Sequence, residues 1–114
     1  IDAPGVLSGR RLFAEVANEK SVPDGMTLDQ AGRLYMADYG AGVIVVFGQD
    51  GNVIHEYPTG LQHASNVAFG VQDSTDLFVT GSTGEGEGSG RVMVLPLDVA
   101  GRSRSALPAS IGGR

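Results

Sequence analysis

Val22-Pro23-Asp24-Gly25-Met26-Thr27-Leu28-Asp29 opens a stretch, running to Gly60, in which four short apolar segments alternate with glycine-bearing turns. Residues 25–29, 33–38, 43–47 and 52–57 read as strands. The turns between them hold Gln30-Ala31-Gly32, Tyr39-Gly40-Ala41-Gly42 and Gly48-Gln49-Asp50-Gly51. Loops of three to five residues that end in Gly are the ordinary hairpin signal, because Gly takes the positive φ that such turns demand. Four antiparallel strands in about 40 residues match the size of one propeller blade. On this reading Asp24 stands at the inner end of the innermost strand.

Outward from that unit the chain continues in the same manner. Residues 10–16 alternate charged and apolar side chains through Leu12, Phe13 and Val16, the pattern of an exposed outer strand. Beyond Gly60, residues 65–69, 77–80 and 91–97 read as strands, and 103–111 as a fourth. Residues 81–90 are almost wholly Gly, Ser, Thr and Glu, the composition of a mobile loop. No segment shows a 3.6-residue period, so almost no helix is expected. The two units, 22–60 and 61–111, are related by a loose repeat. Asp24-Gly25-Met26 answers Asn66-Val67-Ala68, Leu34-Tyr35-Met36-Ala37 answers Leu77-Phe78-Val79-Thr80, and Gly42-Val43-Ile44 answers Gly90-Arg91-Val92. A repeat of about 40 residues built from strands alone means a radial β-repeat, so the expected fold is all-β: about two propeller blades plus one extra strand, in a single partial-propeller domain.

Composition narrows the function. A hydrophobic content of 41% with 18% charged residues suits a packed, soluble domain. The formal net charge of -5 repels phosphate backbones and no Lys/Arg cluster offsets it, so nucleic acid is excluded as a partner. The apolar runs are too short to span a bilayer as helices, so no membrane partner is expected either. The absence of Cys removes disulfides, thiolate metal sites and Cys nucleophiles, and suits a cytoplasmic or a periplasmic protein equally. The chain opens on Ile1-Asp2 rather than Met, as a piece of a longer reading frame would.

Val22 to Asp29, Gly32-Arg33-Leu34-Tyr35-Met36-Ala37 and Tyr39-Gly40-Ala41-Gly42-Val43 together resemble the senescence-marker-protein, gluconolactonase and luciferin-regenerating-enzyme family. Ser65-Asn66-Val67-Ala68-Phe69-Gly70, followed by Leu77-Phe78-Val79-Thr80, is similar to that family's next blade. The resemblance covers residues 10–100 and places them in the C-terminal part of a six-bladed propeller. It implies one divalent cation in the central channel (calcium, zinc or manganese) and hydrolysis of a sugar lactone. Asp24 matches the family's metal-binding aspartate between Pro and Gly, and is the expected catalytic and metal residue. Asn66 stands at the equivalent blade position as a second candidate ligand; Tyr39 and His63 are candidate substrate contacts. The family's ligating Glu near the chain start, and its Asn one blade before the Pro-Asp-Gly motif, have no counterpart here.

These residue types suit that chemistry. A hard cation takes oxygen ligands, and a bound cation polarises a lactone carbonyl and acidifies water, whose proton a nearby carboxylate can accept. Each candidate also has an ordinary structural use. Pro-Asp-Gly is a turn signature, an Asn at a strand end satisfies backbone groups, His63 suits a surface loop, and Tyr39 suits packing. Asp29 and Asp50 sit in hairpin turns, His55 lies in an exposed outer strand, and Glu85 and Glu87 lie in a solvated segment; none is assigned chemistry. Two blades cannot close a ring, so apolar wedge faces are left to self-association or to blades supplied by another copy or chain segment. The alternative to a hydrolase is therefore a non-catalytic propeller segment acting as a binding or assembly module.

Overall fold

The computed structural model describes residues 7–102. Its elements are β1 (Pro23–Leu28), β2 (Leu34–Asp38), β3 (Val43–Phe47), β4 (Val53–Pro58), β5 (His63–Phe69), β6 (Asp76–Ser82) and β7 (Gly90–Pro96). They form two antiparallel sheets, β1-β2-β3-β4 and β5-β6-β7. Among the described residues there is no helix, as the missing 3.6-residue period predicts. Accordingly, no helix among them is long and apolar enough to cross a membrane. The expected fourth strand at 103–111 lies outside the described residues.

The turns explain the register. Gly32, Gly42 and Gly51 all take positive φ, and each closes one hairpin of the first sheet. Gly42 has a second reason to be Gly, since a Cβ there would strike the backbone carbonyl of Leu61. With that turn fixed, β2 and β3 pair without interruption from Leu34↔Phe47 to Asp38↔Val43.

Both middle strands are buried on both faces. Tyr35, Ala37, Ile44 and Val46 point toward the second sheet and meet Leu61, Ala64, Val67, Leu77 and Val79 in one core. Tyr35 and Phe69 meet edge to face across it, with ring centroids 5.4 Å apart. Full burial of an aliphatic side chain such as Ile44 or Val79 contributes about 1.5–3 kcal/mol, so this contact is what joins the sheets.

Met36, Val45 and Phe47 point the other way, and Ala14 and Val16 pack over them. The Phe13 ring stands edge-on to Phe47 at 6.3 Å. This corrects the expectation of an outer strand at 10–16, since that segment is irregular and has no ladder partner. Its alternating apolar residues instead cover the first sheet's outward face. The same alternation serves an edge strand or a covering strap, and pairing depends on a neighbour that sequence period cannot reveal. The 81–90 loop is also tighter than its composition suggests. β6 runs on to Ser82, the Thr83 amide donates to the Ser89 carbonyl at 2.9 Å, and the Ser89 hydroxyl donates to the Gly86 carbonyl at 2.7 Å.

The second unit returns to the first at the far end of β1. The Gln30 amide donates to the Ala100 carbonyl, the Arg102 amide donates to the Leu28 carbonyl, and Asp29 bridges Gly101. Both innermost strands, β1 and β5, therefore lie side by side and begin at the same end of the molecule. That end carries the candidate site.

Candidate functional site

Three pieces of chain converge at this mouth: the start of β1, the start of β5 and the turn between β2 and β3. Each innermost strand is irregular there. The β1–β2 register shifts between Pro23 and Met26, and the β5–β6 register shifts between Ala64 and Asn66. A bulge frees a residue from the ladder and re-aims its side chain, and bulges gather beside functional sites. Asp24 and Gly25 occupy the first irregularity, and Ser65 and Asn66 the second. Pro23, lacking an N–H, is the visible sequence signal for the first; nothing in the sequence marks the second.

Asp24 is exposed, on the second residue of β1. Its neighbour Gly25 lies directly against Asn66. A Cβ at position 25 would land on the Asn66 carboxamide and 2.9 Å from the Asn66 Cα. Asp24, one residue before Gly25, and Asn66 thus belong to neighbouring inner strands. Asn66 Oδ1 accepts the Val67 amide at 2.9 Å, which is the backbone-satisfying use its position allows. A carboxamide oxygen has two lone pairs, so this bond leaves one unused. A carboxylate and a carboxamide oxygen suit a hard cation in kind, though calcium takes six to eight oxygens. Among the described residues no group of three or more His, Cys, Asp or Glu assembles, so the remaining ligands would come from water, substrate or other chain segments.

Tyr39 and His63 come together at the same end. Their rings stack with centroids 4.2 Å apart and planes 8° from parallel. His63 Nδ1 lies 2.9 Å from the Tyr39 carbonyl oxygen. The Tyr39 amide in turn donates to the Val22 carbonyl at 2.8 Å, which ties the pair to the chain entering Pro23-Asp24. Gly40 of the same turn has no room for a side chain, because the Lys20 carbonyl stands where a Cβ would be.

Asp38 carries no prediction from the sequence, yet it holds this end together. It is completely buried. Its Oδ1 accepts the Val22 amide at 2.8 Å and the Ala41 amide at 3.1 Å, so one carboxylate fixes both the lead-in to Asp24 and the turn carrying Tyr39. Among the described residues Oδ2 is buried without a partner, as is the Ser21 hydroxyl one residue before Val22. An Asp at a strand end followed by Tyr-Gly-Ala-Gly is an Asx-turn pattern, and that is the signal in the sequence that points to it.

Asp29 marks the opposite end and is structural. Its buried carboxylate accepts the Ala31 amide at 2.8 Å, the Arg33 amide at 3.0 Å, Arg33 Nε at 2.6 Å and the Tyr35 hydroxyl at 2.9 Å. Burial pushes this carboxyl up, but the Arg33 amide, the guanidinium and the Tyr35 hydroxyl together outweigh it and hold it below the usual carboxylate range. Burial, and the carboxylate it donates to, push the Tyr35 phenol far above its ordinary value. His55 is exposed on the outermost strand and leans on Tyr57 at 4.2 Å.

Two antiparallel sheets packed as wedges, with their innermost strands adjacent and starting at one hub, define a segment of a β-propeller. Residues 1–83 match the SMP-30/Gluconolactonase/LRE-like region, and the chain belongs to that family. It is 35% identical over 85 residues to pentonolactonase XacC of Haloferax volcanii, an overlap of 75% of this chain and 29% of that protein. It is 30% identical over 77 residues to regucalcin of Danio rerio, covering 67% of this chain and 26% of the relative. Among solved structures, a calcium-binding protein, regucalcin, from Agrobacterium tumefaciens superposes with a TM-score of 0.72 at 25% identity, over 83% of this chain and 35% of that one. A luciferin-regenerating enzyme shares the fold with a TM-score of 0.60 at 24% identity, over 71% of this chain and 30% of that one. The chain thus spans about a third of the length of the relatives it matches.

Proposed function

We propose that this chain carries part of the site of a divalent-cation-dependent sugar-lactone hydrolase, with Asp24 as its metal-binding and catalytic carboxylate. The single observation that supports this most is the close approach to Asn66 of Gly25, the residue after Asp24, which brings the two oxygen-bearing residues onto adjacent inner strands beside paired register shifts. Family membership and the name of the pentonolactonase relative support the reaction class, and the regucalcin from Agrobacterium tumefaciens, a calcium-binding protein, supports the choice of cation.

In this reading Asp24 and Asn66 would hold the cation, which when bound would supply polarisation of the lactone carbonyl and acidification of water. The Asp24 carboxylate would be the acidic group this chain brings to the reacting centre. Tyr39 and His63 border the mouth and contact the substrate, a small polyhydroxylated lactone. Asp38 positions the chain that delivers Asp24.

The test is hydrolysis of a five- or six-membered sugar lactone with calcium, zinc or manganese supplied, alongside calorimetric titration of each cation. Hydrolysis abolished by chelator, and cation binding lost in Asp24→Ala with the thermal melt retained, support the reading. Cation binding unaltered by Asp24→Ala sinks it.

One observation favours a second role, that of an assembly module. The face of the second sheet turned away from the first bears Ala68, Phe78, Thr80, Val92 and Val94, all exposed. Phe78 stands opposite both Ala68 and Val94 in the ladders, so the patch is continuous and uncharged. That geometry suits self-association through this face or its coverage by a further blade.

A further inference from the structure

The Tyr39–His63 pair fixes where a proton sits. The Tyr39 carbonyl oxygen can only accept, so the hydrogen bond at 2.9 Å requires His63 Nδ1 to carry the hydrogen. In the neutral ring Nε2 then carries the lone pair and is an obligate acceptor. Among the described residues no group donates to it, and the ring is only half-buried. Tyr39 covers one ring face at 4.2 Å while itself remaining 38% exposed. The pair therefore presents an aromatic surface on which His63 Nε2 is an outward acceptor that cannot donate, beside the Tyr39 hydroxyl, at the end of the sheets where β1 brings Asp24.

That combination selects a particular ligand chemistry. A lone-pair nitrogen binds hydroxyl donors and not carbonyl oxygens, and an aromatic surface packs against C–H faces. Polyhydroxylated, sugar-derived molecules offer both. We propose that the stacked Tyr39–His63 pair is a hydroxyl-reading wall of the mouth, in which His63 Nε2 accepts a hydrogen bond from a ring or chain hydroxyl of the ligand and the Tyr39 carbonyl is the positioning group that sets the tautomer. Assigning the ligand as a lactone rests on the hydrolase reading; recognition of the hydroxyl does not. The wall distinguishes a hydroxylated lactone from an unsubstituted one of the same ring size, because the latter leaves Nε2 without a donor.

Two substitutions separate this role from a merely structural one. His63→Asn keeps a donor near the Nδ1 position for the Tyr39 carbonyl but has no group at the Nε2 position. His63→Gln reaches the Nε2 position and loses the Nδ1 contact. In the metal-free chain, nitrogen NMR of the imidazole reports the tautomer directly, and titration with a sugar alcohol reports contact at Nε2. The expected result is an Nδ1–H tautomer whose Nε2 resonance moves with the sugar alcohol. For a hydroxylated lactone, KM rises about threefold to tenfold in His63→Asn, with kcat little changed and an unsubstituted lactone unaffected, and His63→Gln restores much of the loss.

An Nε2–H tautomer, an Nε2 signal indifferent to the sugar alcohol, or equal losses in the two variants would overturn the proposal. If the unaltered chain hydrolyses no lactone, the hydrolase reading falls alone. The NMR titration then decides this one, a moving Nε2 signal upholding it and an indifferent one ending it.

Discussion

Gly25 on β1 lies so close to Asn66 on β5 that a single methyl group does not fit between them. The contact is between the two innermost strands, so it sets how closely they approach beside Asp24. Gly25→Ala has to push Asn66 and its strand aside, and overpacking of this kind costs about 1–3 kcal/mol. The expected outcome is a lowered melting temperature together with weakened cation binding, even though neither candidate ligand is altered. A variant that melts and binds like the parent would show that the inner strands are not in contact.

Asp29 gives a pH dependence with a definite sign. Its folded-state pKa lies below the ordinary aspartate value of 3.8, so the stability it contributes is complete above that value and is lost as pH falls through the lower, folded one. Asp29→Asn can still accept the two backbone amides through one oxygen. Its amide nitrogen, however, would face Arg33 Nε, which can only donate, and the Tyr35 hydroxyl, which would have to turn its hydrogen away. Arg33 is partly exposed and its charge is screened, so the cost comes mainly from the buried bonds and amounts to about 2–3 kcal/mol at neutral pH. Denaturant melts from pH 7 down to about pH 2 should show the gap between Asp29→Asn and the parent holding at neutral pH and shrinking once pH falls below the ordinary aspartate value. A gap that is constant with pH contradicts the charged cluster.

The sheets are legible in the sequence because their signals are local. Gly32, Gly42 and Gly51 punctuate short apolar runs, and the strands fall between them as period and turn chemistry dictate. The strap at 13–16 is not legible in the same way, since Phe13 and Val16 serve a face and not an edge, a choice made by Met36 and Phe47 some twenty or more residues away. The candidate site is half legible. Pro23-Asp24-Gly25 and the Asx-turn pattern at Asp38 are visible in the sequence, but the stacking of Tyr39 on His63 depends on how two sheets meet, which no window of sequence contains.

The open face of the second sheet makes a further prediction. Phe78 is the largest side chain on it and is 39% exposed. If copies associate through this face, native mass spectrometry shows a mass above that of one chain. Phe78→Lys should then return it to the monomer without lowering the melt of the first sheet's core, since Phe78 points away from it. An oligomer that survives Phe78→Lys would place the association elsewhere.

Asp38 separates the value of a hydrogen-bonding shape from that of a charge. One of its oxygens takes two backbone amides, while the other is buried and unpartnered. Asp38→Ala strands the Val22 and Ala41 amides and should cost about 1–3 kcal/mol, since each lost acceptor leaves a partly buried donor unpaired. Asp38→Asn keeps the accepting oxygen and removes a buried negative charge that lacks a second partner. It should melt within about 1 kcal/mol of the parent, above Asp38→Ala. Cation affinity should follow the same order, because the Val22 bond holds the chain leading into Asp24. An Asn variant as unstable as the Ala variant would mean that the charge itself is held, and that the buried oxygen has a partner supplied from outside the chain.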